Sequence, residues 1–242
     1  MSETVTLTIN GKKYSAERGQ TVLQVATDNG IRIPTLCNNE AIEPYGACRL
    51  CIVEVTRGTR TRMVTSCLYP VEEGLVVQTA SERVVRNRKM LLDLLLARCS
   101  ENSVIKELAA EYGVTKSSFS EEYWEKNDCI VCGLCVRACE QVVGVSAISL
   151  VNRGIGKEPA PPFLEKAKAC IGCGSCYYVC PTGAVKMEDK NGVRRLYNWK
   201  VEFKLKKCSK CGIQWAPEAQ LEYIRKKWNL PADFFEICPN CR

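Results

Sequence analysis

The residues in this 242-residue chain best suited to chemistry are its sulfurs: there are 17 cysteines and no histidine. The missing histidine excludes imidazole acid–base catalysis, histidine-ligated metals and Rieske centres from this chain. Taken in order, all the cysteines but Cys99 fall into four sets of four: Cys37, Cys48, Cys51 and Cys67; Cys129, Cys132, Cys135 and Cys139; Cys170, Cys173, Cys176 and Cys180; and Cys208, Cys211, Cys238 and Cys241. Four thiolates brought to one point are a ligand set for a metal ion or a metal–sulfide cluster. A disulfide scaffold would need an oxidising compartment. The N-terminus, Met1-Ser-Glu-Thr-Val-Thr-Leu, has neither the basic start nor the apolar core of a secretory signal, so a reducing, cytoplasmic location is expected.

The second and third sets each follow the bacterial ferredoxin run C-x2-C-x2-C-x3-C, and Pro181 completes the pattern in the third. In such runs three thiolates come from one tight turn while the fourth cysteine ligates the other cluster. Cys129, Cys132, Cys135 and Cys180 are therefore assigned to one [4Fe-4S] centre, and Cys170, Cys173, Cys176 and Cys139 to its neighbour. Zinc ligands come as separated pairs rather than triplets, so zinc fits these runs poorly. Gly133, Gly172, Gly174 and Ser175 lie inside the runs, where backbone must approach sulfide closely. Ile130, Val131, Leu134, Ile171 and Val179 would shield the centres from water, or simply pack the core.

The first set has gaps of ten, two and fifteen residues, close in kind to plant-type [2Fe-2S] ferredoxins, which begin C-x4-C-x2-C; the ten-residue gap is a departure. The elements needed to hold such a loop are readable around it. Thr4 to Asn10 alternates as a strand, Asn10-Gly11 marks a tight turn, and Lys13 to Ala16 reads as the returning strand. A helix is expected from Thr21, with Gln24 completing a capping box and Gly30 closing it. Ile52, Val53 and Val55 suggest a buried strand, Leu75 to Gln78 another, and Gly46 and Ala47 leave room for the loop before Cys48.

The first 80 residues resemble the N-terminal [2Fe-2S] domain of the large iron–sulfur subunit of respiratory complex I, a domain shared with NAD-linked hydrogenase diaphorase subunits, iron-only hydrogenases and related formate dehydrogenases. The segment Cys129-Ile-Val-Cys-Gly-Leu-Cys-Val-Arg-Ala-Cys-Glu-Gln-Val-Val-Gly-Val-Ser-Ala-Ile148 is similar to that family's two-cluster segment, including Glu140 where many small ferredoxins have proline. Between the two domains the family commonly has a segment supplying one histidine and three cysteines to a further cluster. Here Leu94-Leu-Leu-Ala-Arg-Cys-Ser100 stands at that place with Cys99 alone, so that cluster is expected to be missing. Ser81 to Arg98 and Ser103 to Tyr112, closed by Gly113, are then read as a linking helical pair, with Cys99 a small buried side chain.

The fourth set consists of two knuckle-like pairs, Cys208/Cys211 and Cys238/Cys241, a geometry that favours one tetrahedral metal. Zinc is the first choice, a further [4Fe-4S] cluster the second, with [2Fe-2S] or rubredoxin-like iron also open. Between the pairs, Pro217 to Trp228 reads as an amphipathic helix with Leu221, Ile224 and Trp228 on one face.

The expected class is α+β, in four parts: a β-grasp [2Fe-2S] domain at 1–80, a helical linker at 81–120, a 2[4Fe-4S] ferredoxin-like domain at 121–190, and a four-cysteine metal-binding module at 191–242. The formal charge of +7 would suggest nucleic acid as a partner. Four four-thiolate centres at about −2 each would bring the holoprotein to about −1, which removes that reading. The longest apolar stretch, Leu91 to Ala97 with Asp93 inside it, is far short of the roughly 20 residues of a membrane span. Arg153-Gly-Ile-Gly-Lys157 lacks the third glycine of a dinucleotide loop. The resemblance therefore implies a non-catalytic electron-transfer subunit of a soluble NAD(P)H-linked hetero-oligomer of hydrogenase, formate dehydrogenase or electron-bifurcating transhydrogenase type. Its expected partners are a flavin/NAD(P)H-binding subunit, a further catalytic subunit and, as another candidate, ferredoxin. The alternative is a free-standing polyferredoxin.

Overall fold

The computed structural model describes residues 3–119 and 127–242, in two compact units, Met1–Cys132 and Gly133–Arg242. The expected boundary between linker and two-cluster domain, at 120/121, falls outside the described residues.

The first unit opens with β1 (Thr4–Ile9) and β2 (Lys12–Glu17), antiparallel about Asn10 and Gly11, both at positive φ as a two-residue primed turn requires. Helix α1 (Val22–Asp28) starts at the expected capping box: the Gln24 amide donates to Thr21 Oγ1 while the Gln24 side chain accepts from the Thr21 amide. Gly30, at φ +70°, follows the helix end, and its amide donates to the Thr27 carbonyl. Strands β3 (Ile52–Arg57), β4 (Arg60–Thr65) and β5 (Val76–Gln78) complete a five-stranded sheet in the order β2-β1-β5-β3-β4, with β1 and β5 parallel. Strand β4 was not expected; the Arg-rich run Arg60-Thr-Arg-Met63 masks its pattern, and it forms because it pairs along the whole of β3. Val5, Leu7, Ile9, Val53, Val55 and Val77 bury one face of the sheet beneath Val22, Leu23, Val25 and Ala26 of α1.

Helices α2 (Glu82–Arg98, capped by Ser81) and α3 (Ser103–Glu111, capped by Asn102) form the expected pair. They are more than a spacer. Leu92, Leu96, Cys99, Ile105, Leu108 and Ala109 share a core with Leu36 and Leu50 of the first cysteine loop. Cys99 is 1% exposed there, and burial pushes its thiol up to about 12, so it is an apolar filler in this structure.

The second unit begins with α4 (Leu134–Arg137), which runs into a π-helical turn over Ala138–Val143, and continues through the hairpin of β6 (Ser149–Val151) and β7 (Glu158–Ala160) to α5 (Ser175–Tyr178). Beyond it, β8 (Met187–Lys190), β9 (Val193–Leu196), β10 (Val201–Lys207) and β11 (Gln214–Pro217) form an antiparallel sheet in the order β11-β10-β9-β8. None of the strands in this unit was expected. Helix α6 (Glu218–Lys227) occupies the expected span, yet its apolar face differs from expectation: Leu221 is buried while Trp228, beyond the last turn, is 70% exposed.

Candidate metal–sulfur sites

In the first unit the loop between α1 and β3 carries Cys37, Cys48 and Cys51, and the turn after β4 carries Cys67. Cys37, Cys51 and Cys67 are buried and Cys48 is partly buried. The sulfurs of Cys51 and Cys67 lie 3.3 Å apart, and the Cys48 amide donates to Cys37 Sγ at 3.4 Å. Cys48 is held at about 6 by the hydrogen bond from the Cys37 thiol, and Cys51 at about 7 by the hydrogen bond it shares with Cys67; Cys37 and Cys67 are pushed up in return. Each close pair can ionise only one of its sulfurs without a cation between them. A [2Fe-2S] cluster, two irons each taking two thiolates, meets both requirements of this donor set. Arg88 of α2, only 3% exposed, braces the loop: its Nε donates to the Leu50 carbonyl at 3.0 Å and its Nη2 to the Ile52 carbonyl at 2.7 Å, on either side of Cys51. Nothing in the spacing of the sequence marked Arg88.

In the second unit a small, largely apolar pocket is lined by Cys139, Cys170, Cys173 and Cys176, with Val143, Ile148 and Trp199 among its walls. These are the four cysteines expected to share one cubane. Burial pushes Cys170 up to about 11 and Cys176 up to about 12, so the cavity resists thiolates unless a metal centre supplies positive charge. The elements that build it are local turns. The Gly172 amide donates to Cys170 Sγ at 3.4 Å, and the π-helical turn lets the Ala147 amide reach Cys139 Sγ at 3.3 Å. Tyr223 of α6 donates its hydroxyl to the Val143 carbonyl at 3.1 Å and so braces that turn.

The remaining set is divided between the units. Cys129 and Cys132 end the first, whereas Cys135 and Cys180 belong to the second, in the same apolar core as Cys139, Cys170 and Cys176. Their local turns repeat those of the cavity: the Val131 amide donates to Cys129 Sγ at 3.4 Å and the Ala184 amide to Cys180 Sγ at 3.2 Å.

In the tail, the sulfurs of Cys208, Cys211, Cys238 and Cys241 all lie within 4.8 Å of one another, and those of Cys211 and Cys238 are 3.7 Å apart. A single tetrahedral ion with bonds of about 2.3 Å sets its thiolates about 3.8 Å apart, whereas a cubane stands between its ligands and holds them farther off. The donors therefore fit one ion. The Cys238 amide, donating at 3.3 Å, draws Cys208 down to about 6, while hydrogen bonding with Cys211 pushes Cys241 up to about 12; a cation is again needed for all four to ionise.

The sheet between cavity and tail contributes residues that sequence reasoning missed. The Trp199 Nε1–H donates to Cys176 Sγ at 3.2 Å, and Arg194, paired with Asp189, donates from Nη1 to the Gly172 carbonyl at 3.1 Å. The ring of Phe203 fills the place a side chain at Gly172 would take, its Cδ2 only 2.5 Å from where a Cβ would stand. A sequence signal for this sheet existed in Asn191-Gly192, both at positive φ, which turns β8 into β9 as Asn10-Gly11 turns β1 into β2.

Among the described residues no helix is long and apolar enough to cross a membrane. Residues 2–82 match the 2Fe-2S iron-sulfur cluster binding domain, and residues 163–214 match the 4Fe-4S dicluster domain. The subunit alpha of the NADPH-Fe(3+) oxidoreductase of Geobacter sulfurreducens is 34% identical over 207 residues, covering 75% of this chain and 24% of that protein. The NADP-reducing hydrogenase subunit HndD of Solidesulfovibrio fructosivorans is 33% identical over 226 residues, covering 81% of this chain and 37% of its own length. A subunit of the NADH-quinone oxidoreductase of Rhizobium meliloti is 31% identical over 205 residues, covering 75% and 24% respectively. The chain thus spans between 24% and 37% of the length of these relatives. Among solved structures, a chain of the NAD+-reducing [NiFe]-hydrogenase in the H2-reduced state superposes with a TM-score of 0.65 at 29% identity, covering 74% of this chain and 86% of that one. The chain is accordingly an iron–sulfur protein homologous to the iron–sulfur subunits of NAD(P)H-linked hydrogenases and complex I-type oxidoreductases.

Proposed function

We propose that this chain is the iron–sulfur electron-transfer subunit of a cytoplasmic, multi-subunit NAD(P)H-linked flavin oxidoreductase, a hydrogenase, formate dehydrogenase or electron-bifurcating transhydrogenase. The observation that carries the reading is the convergence of Cys139, Cys170, Cys173 and Cys176 on one small, apolar-walled pocket. Burial there disfavours the thiolates of Cys170 and Cys176, which a metal–sulfur centre would stabilise.

On this reading Cys37, Cys48, Cys51 and Cys67 hold one [2Fe-2S] cluster. Cys129, Cys132, Cys135 and Cys180 hold one [4Fe-4S] cluster, and Cys139, Cys170, Cys173 and Cys176 a second. When bound, these clusters accept and release single electrons. The protein's part is to bury the sulfurs, aim backbone amides at them and brace the loops through Arg88 and Tyr223. Cys208, Cys211, Cys238 and Cys241 hold one zinc as a structural ion, their mutual spacing supporting a single ion over a further cluster. The functional parts are those of the sequence reading, at 1–80, 81–120, 121–190 and 191–242. The partners are a flavin subunit that exchanges electrons with the [2Fe-2S] domain and a second catalytic subunit or ferredoxin.

Elemental analysis of protein purified without oxygen tests the assignment. About ten iron and about one zinc per chain are expected. About fourteen iron without zinc would make the tail a fourth cluster, and about four zinc with almost no iron would end the electron-transfer reading.

A further inference from the structure

We propose that Trp199 is a positioning residue that raises the reduction potential of one cluster, that of Cys139, Cys170, Cys173 and Cys176, by donating its indole N–H to the Cys176 sulfur. The inference rests on the ligand set proposed above and extends it to a residue outside the ferredoxin runs.

Three observations carry it. First, the contact is buried and direct: Nε1 lies 3.2 Å from Cys176 Sγ, with Trp199 2% and Cys176 8% exposed. An indole N–H is a donor only and when buried usually pairs with an acceptor; the one Trp199 meets is a sulfur proposed to be a ligand. Second, the ring is held in place by its own turn. Trp199 sits in the one-turn 3-10 helix Tyr197–Trp199 between β9 and β10. Beside it, the Asn198 side chain accepts from the Lys186 amide and donates to the Ala184 carbonyl, and the Trp199 carbonyl accepts from the Ala167 amide. Third, the surrounding sheet closes over the same loop: Phe203 lies against Gly172, Met187 lies against Gly174, and Arg194 donates to the Gly172 carbonyl. The aromatic donor is thus part of a fitted cover over the sulfur.

The physical consequence has a definite sign. One-electron reduction adds negative charge to the centre and its thiolates, so a fixed N–H pointed at a ligand sulfur favours the reduced state. Removing that donor makes reduction harder. On the scale of one charge-assisted hydrogen bond the change is about tenfold in the reduction equilibrium, or about 59 mV for one electron.

The test is an EPR-monitored redox titration of the anaerobically purified full chain and its Trp199→Phe variant, which keeps an aromatic ring and removes the N–H. The expected result is unchanged iron content, one [4Fe-4S] midpoint displaced to more negative potential by about that amount, and the other midpoints unmoved. Full iron with every midpoint at its wild-type value overturns the proposal. Should the variant lose iron, the wild-type protein decides: with tryptophan labelled by 15N at the indole nitrogen, pulsed EPR of the reduced protein reads a hyperfine coupling to a tryptophan nitrogen if the proposal holds. The absence of any such coupling overturns it. The ligand reading is tested separately by Cys176→Ala, in which retention of all the iron shows that Cys176 is not a ligand.

Discussion

The runs Cys129–Cys139 and Cys170–Cys180 have the same cysteine spacing and nearly the same backbone, and they differ in what covers them. In each, the residue two after the first cysteine turns at positive φ and donates its amide back to that cysteine: Val131 at φ +54° in the first run and Gly172 at φ +74° in the second. In each, a glycine at positive φ, Gly133 or Gly174, starts the short helix that follows. A ferredoxin turn can therefore carry valine at the first of these places. What makes the residue glycine in the second run is the ring of Phe203, which stands where a side chain would go. The turn is required by the cysteine spacing, and the glycine by the sheet laid over it.

If that is right, dismantling the sheet's anchor should be the most damaging change and should fall on the second run. Strand β10, which carries Phe203, leads directly into Cys208, and the Ser209 amide and hydroxyl both donate to the Glu236 carbonyl two residues before Cys238. Cys238→Ser is expected to abolish zinc binding and free the segment from 208 onward. Binding of a structural zinc by a small domain is worth on the order of 10 kcal/mol, far more than the local packing of one hairpin. Limited proteolysis should cut the variant within the tail, and the potential of the cluster beneath Trp199 should move while that of the [2Fe-2S] centre stays. A tail as resistant as wild type in the variant would show that the sheet stands without a bound ion.

Exchanging the residues at the two turns probes the comparison itself. Gly172→Val places a β-branched side chain at positive φ and into the Phe203 ring. Strain and overpacking together cost on the order of 3 kcal/mol, read as a lower apparent melting temperature at a fixed scan rate. Adding Phe203→Ala should recover part of the loss, because the two changes share one space and so are not additive. A double variant as unstable as the sum of the singles would remove Phe203 as the reason for the glycine.

How much of this was legible in the sequence follows from how local each cause is. Thr21 with Gln24 and Asn10 with Gly11 are contacts within four residues, and each stands where it was read. The pairing of the tail cysteines was legible for the same reason and already favoured one ion over a cluster; the mutual distances between sulfurs from two distant turns support that preference. The second sheet was hidden because Met187-Glu-Asp-Lys190 and Val193-Arg-Arg-Leu196 are short and highly charged; they become strands through pairing and through the Arg194–Asp189 ion pair, although the Asn191-Gly192 turn was there to be read. Trp199 and Arg88 could not be found from spacing, since each acts on a loop more than twenty residues away in the chain.

The smallest expected effect lies at the matching turn of the first run. Val131→Gly relieves a valine of its positive φ, which costs an L-residue about 1–2 kcal/mol. Against this, glycine gains about 0.5–1 kcal/mol of backbone freedom in the unfolded chain, which destabilises the fold. The two terms nearly cancel, leaving a net change within about 1 kcal/mol that favours the variant. The apparent melting temperature should therefore hold or rise slightly with iron content unchanged, opposite in sign to Gly172→Val. A loss as large as that of Gly172→Val would mean that Val131 packs as tightly in its own turn as Phe203 does against Gly172, and the two runs would then differ in which side chain fills the space rather than in whether one is needed.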